Sequence, residues 1–543
     1  MPNATFHLAI PDNEPVYPYA PGDAATAELR AALEELRSTE TELPAFINGE
    51  RVLEGERVRV HPPHEIAHTL GHFYRGTDEH VHRAIDAALG AKDAWARMPW
   101  QERAAIFLRA ADLLAGPFRA RMNAATMLGQ SKNAYQAEID AVAELCDFFR
   151  FNAYFYREII REQPLHSPPG VWNKLEYRPL EGFVLAITPF NFTSIAANLP
   201  AAPALCGNTV VWKPAETQIY SAVVIMELFA AAGLPPGVIN LIYTDGPRVG
   251  DIVFKHPDFA GLHFTGSTKV FRELWAEIGN NVANYRSYPR IVGETGGKDF
   301  VIAHPSADAE QVAVALLRGA FEFQGQKCSA ASRAYLPESR WPAVRERLLA
   351  DLKTVRMGGV EDFGNFINAV IDERAFDRIA GYIDRARGRD CCHIIAGGNC
   401  DKSAGYFIEP TVIHSEDPHC EVMVEEIFGP VLAVYVYPDD EWEAALELVN
   451  STSPYALTGA VFATDRAAVV RATEALTNAA GNFYVNDKPT GAVVGQQPFG
   501  GARASGTNDK AGSPLNLYRW ISPRLIKENF VAPRDYRYPF LGE

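Results

Sequence analysis

Phe183-Val184-Leu185-Ala186-Ile187 is a continuous apolar run that follows Gly182. Three similar runs come later, at residues 209–212, 238–242 and 262–265. Such runs, without polar alternation, are typical of parallel strands that are covered on both faces. Helix-length segments lie between them, and one of these segments, residues 221–232, is followed by Gly233 and Pro235, a common helix stop. The alternation predicts a parallel α/β unit.

A second alternating set begins near residue 300, after Gly296-Gly297. It comprises an apolar run at 301–303, a long helix at 312–323, and further apolar runs at 333–336, 431–436 and 460–462. On the N-terminal side, residues 24–37 are rich in good helix formers, and residues 101–114 repeat apolar side chains at helical spacing. The simplest division is two α/β domains with a break near Gly296-Gly297.

The composition excludes several classes of partner. The chain has 543 residues, 47% of them hydrophobic and 22% charged, which is ordinary for a globular protein. Its 67 acidic and 51 basic residues give a net charge of −16, and no basic run offsets the resulting repulsion from phosphate. We therefore expect no nucleic-acid partner. No apolar stretch approaches the roughly 18 to 20 residues that span a bilayer, so we expect no membrane partner either.

The first 23 residues contain no Arg or Lys. This segment therefore lacks the charged pattern of a signal peptide or a transit peptide. We expect a cytoplasmic protein, or a mitochondrial matrix protein from which a targeting segment has been removed.

Cys328 is the strongest candidate for a nucleophile among seven irregularly spaced cysteines. An odd number of cysteines in a chain of this size argues against a disulfide framework. Cys328 lies within Gly325-Gln326-Lys327-Cys328-Ser329, between a predicted helix and a predicted strand. We expect the neighbouring Lys327 to lower the thiol pKa and to favour the reactive thiolate.

Two further polar residues suit catalysis by a thiol. Glu294 follows an apolar pair and precedes Gly296-Gly297, so its carboxylate can face a cleft and act as a general base. Asn191 follows a strand end and Pro189, and its side-chain amide can donate to a developing oxyanion. Each signal is weak alone, since both residue types are common in loops.

Two segments are suited to a dinucleotide. Glu216 follows a predicted parallel strand that ends near Lys213, where a carboxylate can accept from a ribose hydroxyl. Gly266 and Ser267 lie at a predicted helix N-terminus, which is a site for a pyrophosphate. No G-x-G-x-x-G sequence is present, so the usual dinucleotide fingerprint is absent.

Taken together and in order, these motifs resemble the aldehyde dehydrogenase superfamily from about residue 14 to the C-terminus. The resemblance is closest to the glutamate γ-semialdehyde (1-pyrroline-5-carboxylate) dehydrogenases of proline catabolism. The segments that carry this closer resemblance are 181–183, 189–193, 321–330 and 495–508.

The resemblance implies roles for individual residues. Cys328 would be the nucleophile, Glu294 would activate the deacylating water, and Asn191 would form the oxyanion hole with the Cys328 backbone N–H. The residues that would bind NAD are Lys213, Glu216, Gly266, Ser267, Glu426 and Phe428. The residues that would bind the substrate are Lys327, Ser329, Gly491, Ala492, Phe499 and Phe192.

This chain departs from the family pattern at two positions. Many members have a glycine where this chain has Phe271. Animal members of the branch have a serine where Ala492 stands, so one hydroxyl contact to the substrate would be missing.

The resemblance also implies the architecture: an aldehyde dehydrogenase fold with a Rossmann-like NAD-binding domain, an α/β catalytic domain and a β-flap for oligomerisation. We assign residues 1–160 and 181–296 to the NAD-binding domain and 297–504 to the catalytic domain. Residues 161–180 and 505–543 would form the flap and the C-terminal tail. The partners would be a small-molecule substrate and further copies of the chain, in a homodimer or a larger homo-oligomer.

Alternative functions remain open from sequence. The substrate could be another semialdehyde, or the enzyme could be a cofactor-free cysteine hydrolase or acyltransferase. A catalytically dead member is a third alternative, against which Cys328, Glu294 and Asn191 argue. We predict no metal site: His61, His64 and His68 have no second ligand cluster, and we interpret Cys391, Cys392 and Cys400 as structural thiols beside His393.

Overall fold

The computed structural model of the chain describes residues 7–542. Its first large sheet has seven strands, of which five are parallel and two are antiparallel at one edge. The parallel unit predicted from the apolar runs is therefore confirmed. In spatial order the strands are Arg290–Glu294, Phe259–Thr265, Phe183–Ile187, Val210–Lys213, Ile239–Leu241, Ala45–Ile47 and Glu50–Val52.

The second large sheet also has seven strands, and all its neighbours are parallel except the first pair. The predicted runs at 301–303, 333–336, 431–436 and 460–462 all lie in it. In spatial order the strands are Cys392–Ala396, Thr411–Ser415, Val431–Tyr437, Ala331–Pro337, Asp299–Ala303, Thr458–Phe462 and Asn482–Val485.

Helices cover both sheets, and those predicted at 24–37, 101–114 and 221–232 are present. Gly233 ends the last of these with a φ of 91°, a left-handed conformation that favours glycine. The α-helices are Ala24–Ser38, Asp78–Arg97, Trp100–Ala115, Arg119–Gln130, Ala134–Ala137, Leu145–Arg161, Thr193–Leu205, Ile219–Ala232, Gly246–Val253, Thr268–Asn280, Ala309–Phe321, Trp341–Leu352, Glu373–Arg387, Glu421–Val424, Trp442–Ser451, Arg466–Ala475 and Pro514–Tyr518. Glu138–Glu144 is a π-helix, and the short 3₁₀ helices are Glu216–Gln218, Val282–Asn284, Glu322–Gly325 and Pro539–Leu541.

The helix predicted at 312–323 begins earlier and ends earlier than expected. The Asp308 side chain caps it by accepting from two backbone N–H groups of the first turn. It ends at Phe321, since Phe323 and Gln324 adopt left-handed conformations with φ of 51° and 56°. Residues with that backbone cannot continue a right-handed helix.

Smaller β-elements join these layers. One sheet has three strands, Thr41–Leu43, Gly71–Arg75 and Glu56–Val60. Two further sheets have two strands each: Cys400–Asp401 with Phe407–Ile408, and Tyr455–Ala456 with Ala502–Arg503. Val171–Pro179 pairs with Ile521–Asn529 along its whole length. This two-stranded ribbon is the predicted flap.

The C-terminal segment returns to the first sheet before it enters the ribbon. Leu517, Trp520 and Ile521 are buried in the same hydrophobic core as the strands of that sheet. Within residues 7–542, no helix combines the length and the apolar character that a membrane crossing requires. The predicted domain boundaries at 160, 181, 296 and 504 stay a prediction.

Candidate active site

The predicted site residues of the first half lie where parallel strands of the first sheet end. Lys213 ends Val210–Lys213, Gly266 follows Phe259–Thr265, and Glu294 ends Arg290–Glu294. Asn191 follows Phe183–Ile187 after a short loop. Because neighbouring parallel strands end at the same edge, these residues share the edge at which α/β sheets bind ligands.

The loop that carries Cys328 begins with the left-handed turn at Phe323, Gln324 and Gly325, where φ is 51°, 56° and 65°. A side chain at Gly325 would collide with the backbone carbonyl of Gly429. The turn therefore needs glycine at this position, and it stores backbone strain next to a reactive residue.

Asn191 reaches this loop from the first sheet. Its side-chain amide Nδ2 donates to the backbone carbonyl of Gln326 over 3.1 Å. The structure thus brings the predicted oxyanion donor to within two residues of Cys328, and the second hydrogen on Nδ2 can serve another acceptor.

Glu294 is held at the end of its strand by the glycines at 500 and 501. The Gly501 N–H donates to Oε2 over 3.2 Å. Burial raises the pKa of the carboxyl well above its ordinary value, against the opposing effects of the Gly501 N–H and the Lys510 ammonium. A carboxyl group with a raised pKa is suited to proton transfer near neutral pH.

The expected lowering of the Cys328 pKa by Lys327 is wrong. Burial raises the pKa of the thiol well above its ordinary value, and the Asp299 and Glu294 carboxyl groups raise it further when they are ionised. Lys327 cannot offset them, because its Nζ donates to Glu322 Oε2 over 3.1 Å and its charge is compensated there. Cys328 therefore needs a proton acceptor before it can attack.

The predicted substrate residues beside Cys328 lie close to the loop at 490–492. Ser329 Oγ and Thr490 Oγ1 share a hydrogen bond of 2.8 Å. Lys488, which sequence reasoning missed, donates from Nζ to the Thr490 carbonyl over 3.0 Å and interacts electrostatically with Lys327 and Glu322. Arg318 and Asp487 belong to the same group, so three cations and two anions leave a net positive charge here.

The remaining predicted substrate residues lie in the same loop or near it. Gly491 has a φ of 95°, which favours glycine, and it is exposed next to the half-buried Ala492. Phe499 exchanges two backbone hydrogen bonds with Ala511, of 3.0 and 2.8 Å. These bonds fix the segment that carries the Phe499 ring.

Phe192 packs on a buried ion pair that the sequence did not reveal. Lys132 Nζ lies 4.3 Å from the centre of the Phe192 ring and 2.5 Å from Asp140 Oδ2. Asp140 also accepts from the backbone N–H groups of Thr193 and Ser194, over 2.9 and 3.0 Å. It therefore fixes the start of the helix that follows Asn191.

Glu216, the predicted ribose ligand, has a cationic neighbour. Arg75 donates from Nη1 to Glu216 Oε1 over 3.0 Å and to Asp245 Oδ1 over 2.6 Å. Lys213 Nζ donates to the Pro214 carbonyl over 3.1 Å. Arg75 comes from the three-stranded sheet, and nothing in its local sequence signals this role.

Gly266 and Ser267 begin the helix Thr268–Asn280. The Ser267 hydroxyl accepts from the Val270 N–H over 3.3 Å and caps the helix. Phe271, which stands where many family members have glycine, stacks on Phe264 at 5.4 Å. It fills the space over Gly293, where a side chain would collide with its ring.

Glu426 and Phe428 enter from the second half of the chain. Glu426 Oε1 accepts from the Gly297 N–H over 2.8 Å, and burial raises its pKa to about 7. Phe428 has a φ of 54° and packs edge-on against Phe190 at 5.8 Å. The Glu426 carboxylate thus lies against the paired glycines that separate the two large sheets.

The three histidines considered as metal ligands each have a different partner. His61 contacts the Pro62 carbonyl, and His68 contacts the Arg37 carbonyl. His64 lies between Ser131 Oγ and Glu361 Oε1, at 3.1 and 3.2 Å.

Comparison with known proteins places these observations in a family. The sequence pattern of the aldehyde dehydrogenase family matches residues 52–524. The chain is 50% identical over 538 residues to the delta-1-pyrroline-5-carboxylate dehydrogenase of Agaricus bisporus, covering 99% of this chain and 98% of that one. It is 49% identical over 530 residues to the mitochondrial enzyme of that name from Bos taurus, covering 97% and 94%.

Solved structures agree. The Mycobacterium tuberculosis delta-pyrroline-5-carboxylate dehydrogenase bound with NAD superposes with a TM-score of 0.96 at 54% identity, over the full length of both chains. The Thermus 1-pyrroline-5-carboxylate dehydrogenase with bound NAD gives a TM-score of 0.90 at 32% identity, over 96% of this chain and 100% of that one.

Proposed function

The chain belongs to the aldehyde dehydrogenase family, and on that premise we propose that it oxidises L-glutamate γ-semialdehyde, formed from 1-pyrroline-5-carboxylate, to L-glutamate with NAD⁺ in proline catabolism. The observation that carries the proposal is that the Asn191 amide meets the Cys328 loop while Glu294 lies within electrostatic range of the thiol. The names and NAD complexes of the similar enzymes support the same reaction.

In this reaction Cys328 acts as the nucleophile. Its thiol passes its proton to solvent water and Sγ then attacks the aldehyde carbon, and the oxyanion that forms accepts from Asn191 Nδ2 and the Cys328 backbone N–H. Glu294 Oε2 later takes a proton from the water that releases the product from the sulfur. NAD⁺, when bound, accepts the hydride that converts the aldehyde carbon to the acyl level.

The residues near the sheet edge fit NAD. Glu216 and Lys213 supply an acceptor and a donor for the adenosine ribose, and the helix that begins after Gly266 and Ser267 supplies a positive N-terminus for the pyrophosphate. Glu426 supplies a buried carboxylate for the nicotinamide ribose, beside the aromatic ring of Phe428.

The substrate carboxylate binds at the net positive pocket beside the nucleophile. Lys327 and Ser329 are its side-chain ligands, and the backbone N–H groups of Gly491 and Ala492 donate from the loop that Ser329 contacts through Thr490. Phe192 and Phe499 form the apolar walls along the aliphatic part of the substrate.

The ribbon supports self-association into at least a dimer. Trp172 and Leu525 on the ribbon, and Phe530 directly after its second strand, are exposed by 63%, 61% and 61%. A two-stranded ribbon has two open edges, and apolar side chains on such an edge favour pairing with another copy.

The direct test is to mix the purified protein with NAD⁺ and glutamate γ-semialdehyde and to follow NADH absorbance. We expect turnover with the full chain and none with the Cys328→Ala variant, which should still bind NAD⁺ because the ribose ligands lie elsewhere. A cofactor-free hydrolase would instead cleave a thioester or ester at the same rate with and without NAD⁺. That result, with no NADH formed, would contradict the proposal.

A further inference from the structure

Three thiols outside the active site converge in the second half of the chain. Cys392 Sγ lies 3.9 Å from Cys391 Sγ and 3.2 Å from Cys420 Sγ, and the three sulfur atoms are all within 4.8 Å of one another. Within the part of the chain that the structure describes, no other set of three or more His, Cys, Asp or Glu ligand atoms converges this closely. Cys400, grouped with this pair in the sequence, is not part of the cluster.

The backbone builds the cluster from two segments. Cys392 begins an edge strand of the second sheet and lies opposite Ser415, the last residue of the neighbouring strand. The chain then turns back, and Cys420 stands at the start of the helix Glu421–Val424. Cys392 and Cys420 are 28 positions apart, which resembles no common metal-ligand spacing, and the sequence therefore pointed to structural thiols.

We propose that Cys391, Cys392 and Cys420 bind one thiophilic divalent metal ion, with Zn²⁺ as the cellular ion of that class. Sulfur-only donor sets select such ions over Mg²⁺ or Ca²⁺, which prefer oxygen. At a Zn–S distance of about 2.3 Å, tetrahedral geometry places sulfur atoms about 3.8 Å apart. The spacing of 3.9 Å between Cys391 and Cys392 lies near that value, whereas Cys392 and Cys420, at 3.2 Å, would have to move apart by about 0.6 Å to bind the ion.

Access to the cluster also suits a metal. Cys392 and Cys420 are buried, whereas Cys391 is half-buried and gives an ion or a fourth, water ligand a route to the cluster. Thiolates are the binding form, so uptake of the ion releases protons.

The test uses the Cys328→Ser protein, so that the active-site thiol cannot compete for metal. Titration with Cd²⁺ should give a sulfur-to-metal charge-transfer band that saturates at one equivalent, with release of protons into a weakly buffered solution. The same equivalent of Zn²⁺ should raise the thermal unfolding temperature, since the ion binds the folded site. Without a saturable band the proposal fails.

Variants in the same background locate the site. Cys391→Ser and Cys420→Ser should each weaken Cd²⁺ binding by at least about tenfold, because loss of even an outer-shell partner costs that much at metal sites. Cys391→Ser is the variant expected to fold normally, because it changes a half-buried side chain. Cys400→Ser is the matched control, a half-buried thiol outside the cluster, and it should bind Cd²⁺ unchanged.

Two results would overturn the proposal. One is Cd²⁺ binding that survives both cluster variants and is lost in Cys400→Ser. The other is a loss of free thiols. The Cys328→Ser protein has six cysteines, and the proposal fails if only four of them titrate when the protein is isolated without reductant and all six titrate after dithiothreitol is added. The latter would mean that the cluster holds a disulfide in place of an ion.

Discussion

Glu294 is positioned by a single backbone hydrogen bond from Gly501, and its own carboxyl is buried. Glu294→Gln keeps the shape and that hydrogen bond but removes the proton acceptor for water. We expect deacylation to slow by about 10² or more, the typical contribution of a general base, while formation of NADH in the first turnover changes less. Stopped-flow absorbance should show a burst of NADH followed by a slow steady state. Equal slowing of both phases would contradict the role of Glu294.

We expect the pair of Glu216 and Arg75 to determine how strongly the enzyme prefers NAD⁺ over NADP⁺, which carries a 2′-phosphate. In the full chain the Glu216 carboxylate should repel the phosphate of NADP⁺, giving a preference for NAD⁺ of roughly tenfold or more in kcat/KM. Glu216→Gln should reduce that preference, because it removes the repulsion and frees Arg75 from one of its anionic partners.

The double variant Glu216→Gln/Arg75→Met isolates the contribution of the cation. It should lose most of the NADP⁺ activity that Glu216→Gln gains, with the change in KM rather than in kcat. If the single and double variants use NADP⁺ equally well, Arg75 does not meet the 2′-phosphate.

Lys327 carries the test of substrate choice. Lys327→Met should raise KM for glutamate γ-semialdehyde by roughly tenfold to a hundredfold, since a charge-assisted hydrogen bond contributes about 1.5 to 3 kcal/mol. An uncharged aliphatic aldehyde of similar length should be affected much less. Glu322 keeps a partner in the variant, because Arg318 donates to its other oxygen over 2.8 Å. Equal loss with both aldehydes would show that Lys327 does not bind the carboxylate.

At the scale of elements, the π-helix Glu138–Glu144 connects stability to the site. Asp140→Asn keeps only one side-chain oxygen, so one of the two N–H groups of Thr193 and Ser194 loses its acceptor, and the Lys132 ammonium is left buried without that charged partner. Breaking a buried pair in this way costs about 3 to 5 kcal/mol of folding free energy. Urea unfolding should show this loss, and the double variant Lys132→Met/Asp140→Asn should recover much of it, since no unpaired charge remains. If the double variant is as unstable as the single one, the loss of stability comes from the hydrogen bonds of Asp140 to the N–H groups of Thr193 and Ser194 and not from the unpaired Lys132 charge.

The elements that the sequence predicted are those with local signals. Apolar runs such as 183–187 and the stop at Gly233 depend on neighbours a few residues away, so they can be recognised without a structure. The left-handed turn at Phe323 and Gln324 could not, because those residue types do not favour such a backbone and tertiary contacts impose it. The predicted helix extended two residues too far at its C-terminal end for this reason.

The site follows the same rule. Cys328, Glu294 and Asn191 lie in short motifs whose residue types suit their chemistry, and the structure brings their loops together. Lys488 and Arg75 gave no signal, because each acts through residues distant in the chain. The expected effect of Lys327 on the Cys328 pKa was wrong because Lys327 pairs with Glu322, which lies on a turn that the sequence did not reveal.

At the scale of the whole molecule, we expect copies of the chain to associate through the ribbon. Replacing the exposed Trp172 and Leu525 together by serine should shift sedimentation of the protein toward the monomer, while the monomer stays folded because neither side chain is buried. Lys527→Ser, on the same strand but polar, is the matched control and should sediment as the full chain does. Sedimentation of the double variant that equals that of the control would place the contact elsewhere.

The order of strands has a consequence for synthesis on the ribosome. Ala45–Ile47 pairs with Ile239–Leu241, and Val171–Pro179 pairs with Ile521–Asn529. At ribosomal rates of about 5 to 20 residues per second, the earlier strand of the ribbon waits on the order of tens of seconds for its partner. During that interval the open edge of a nascent chain is exposed to neighbouring chains on the same messenger. The ribbon that we expect to join subunits is thus also one of the last pairings that a growing chain can complete.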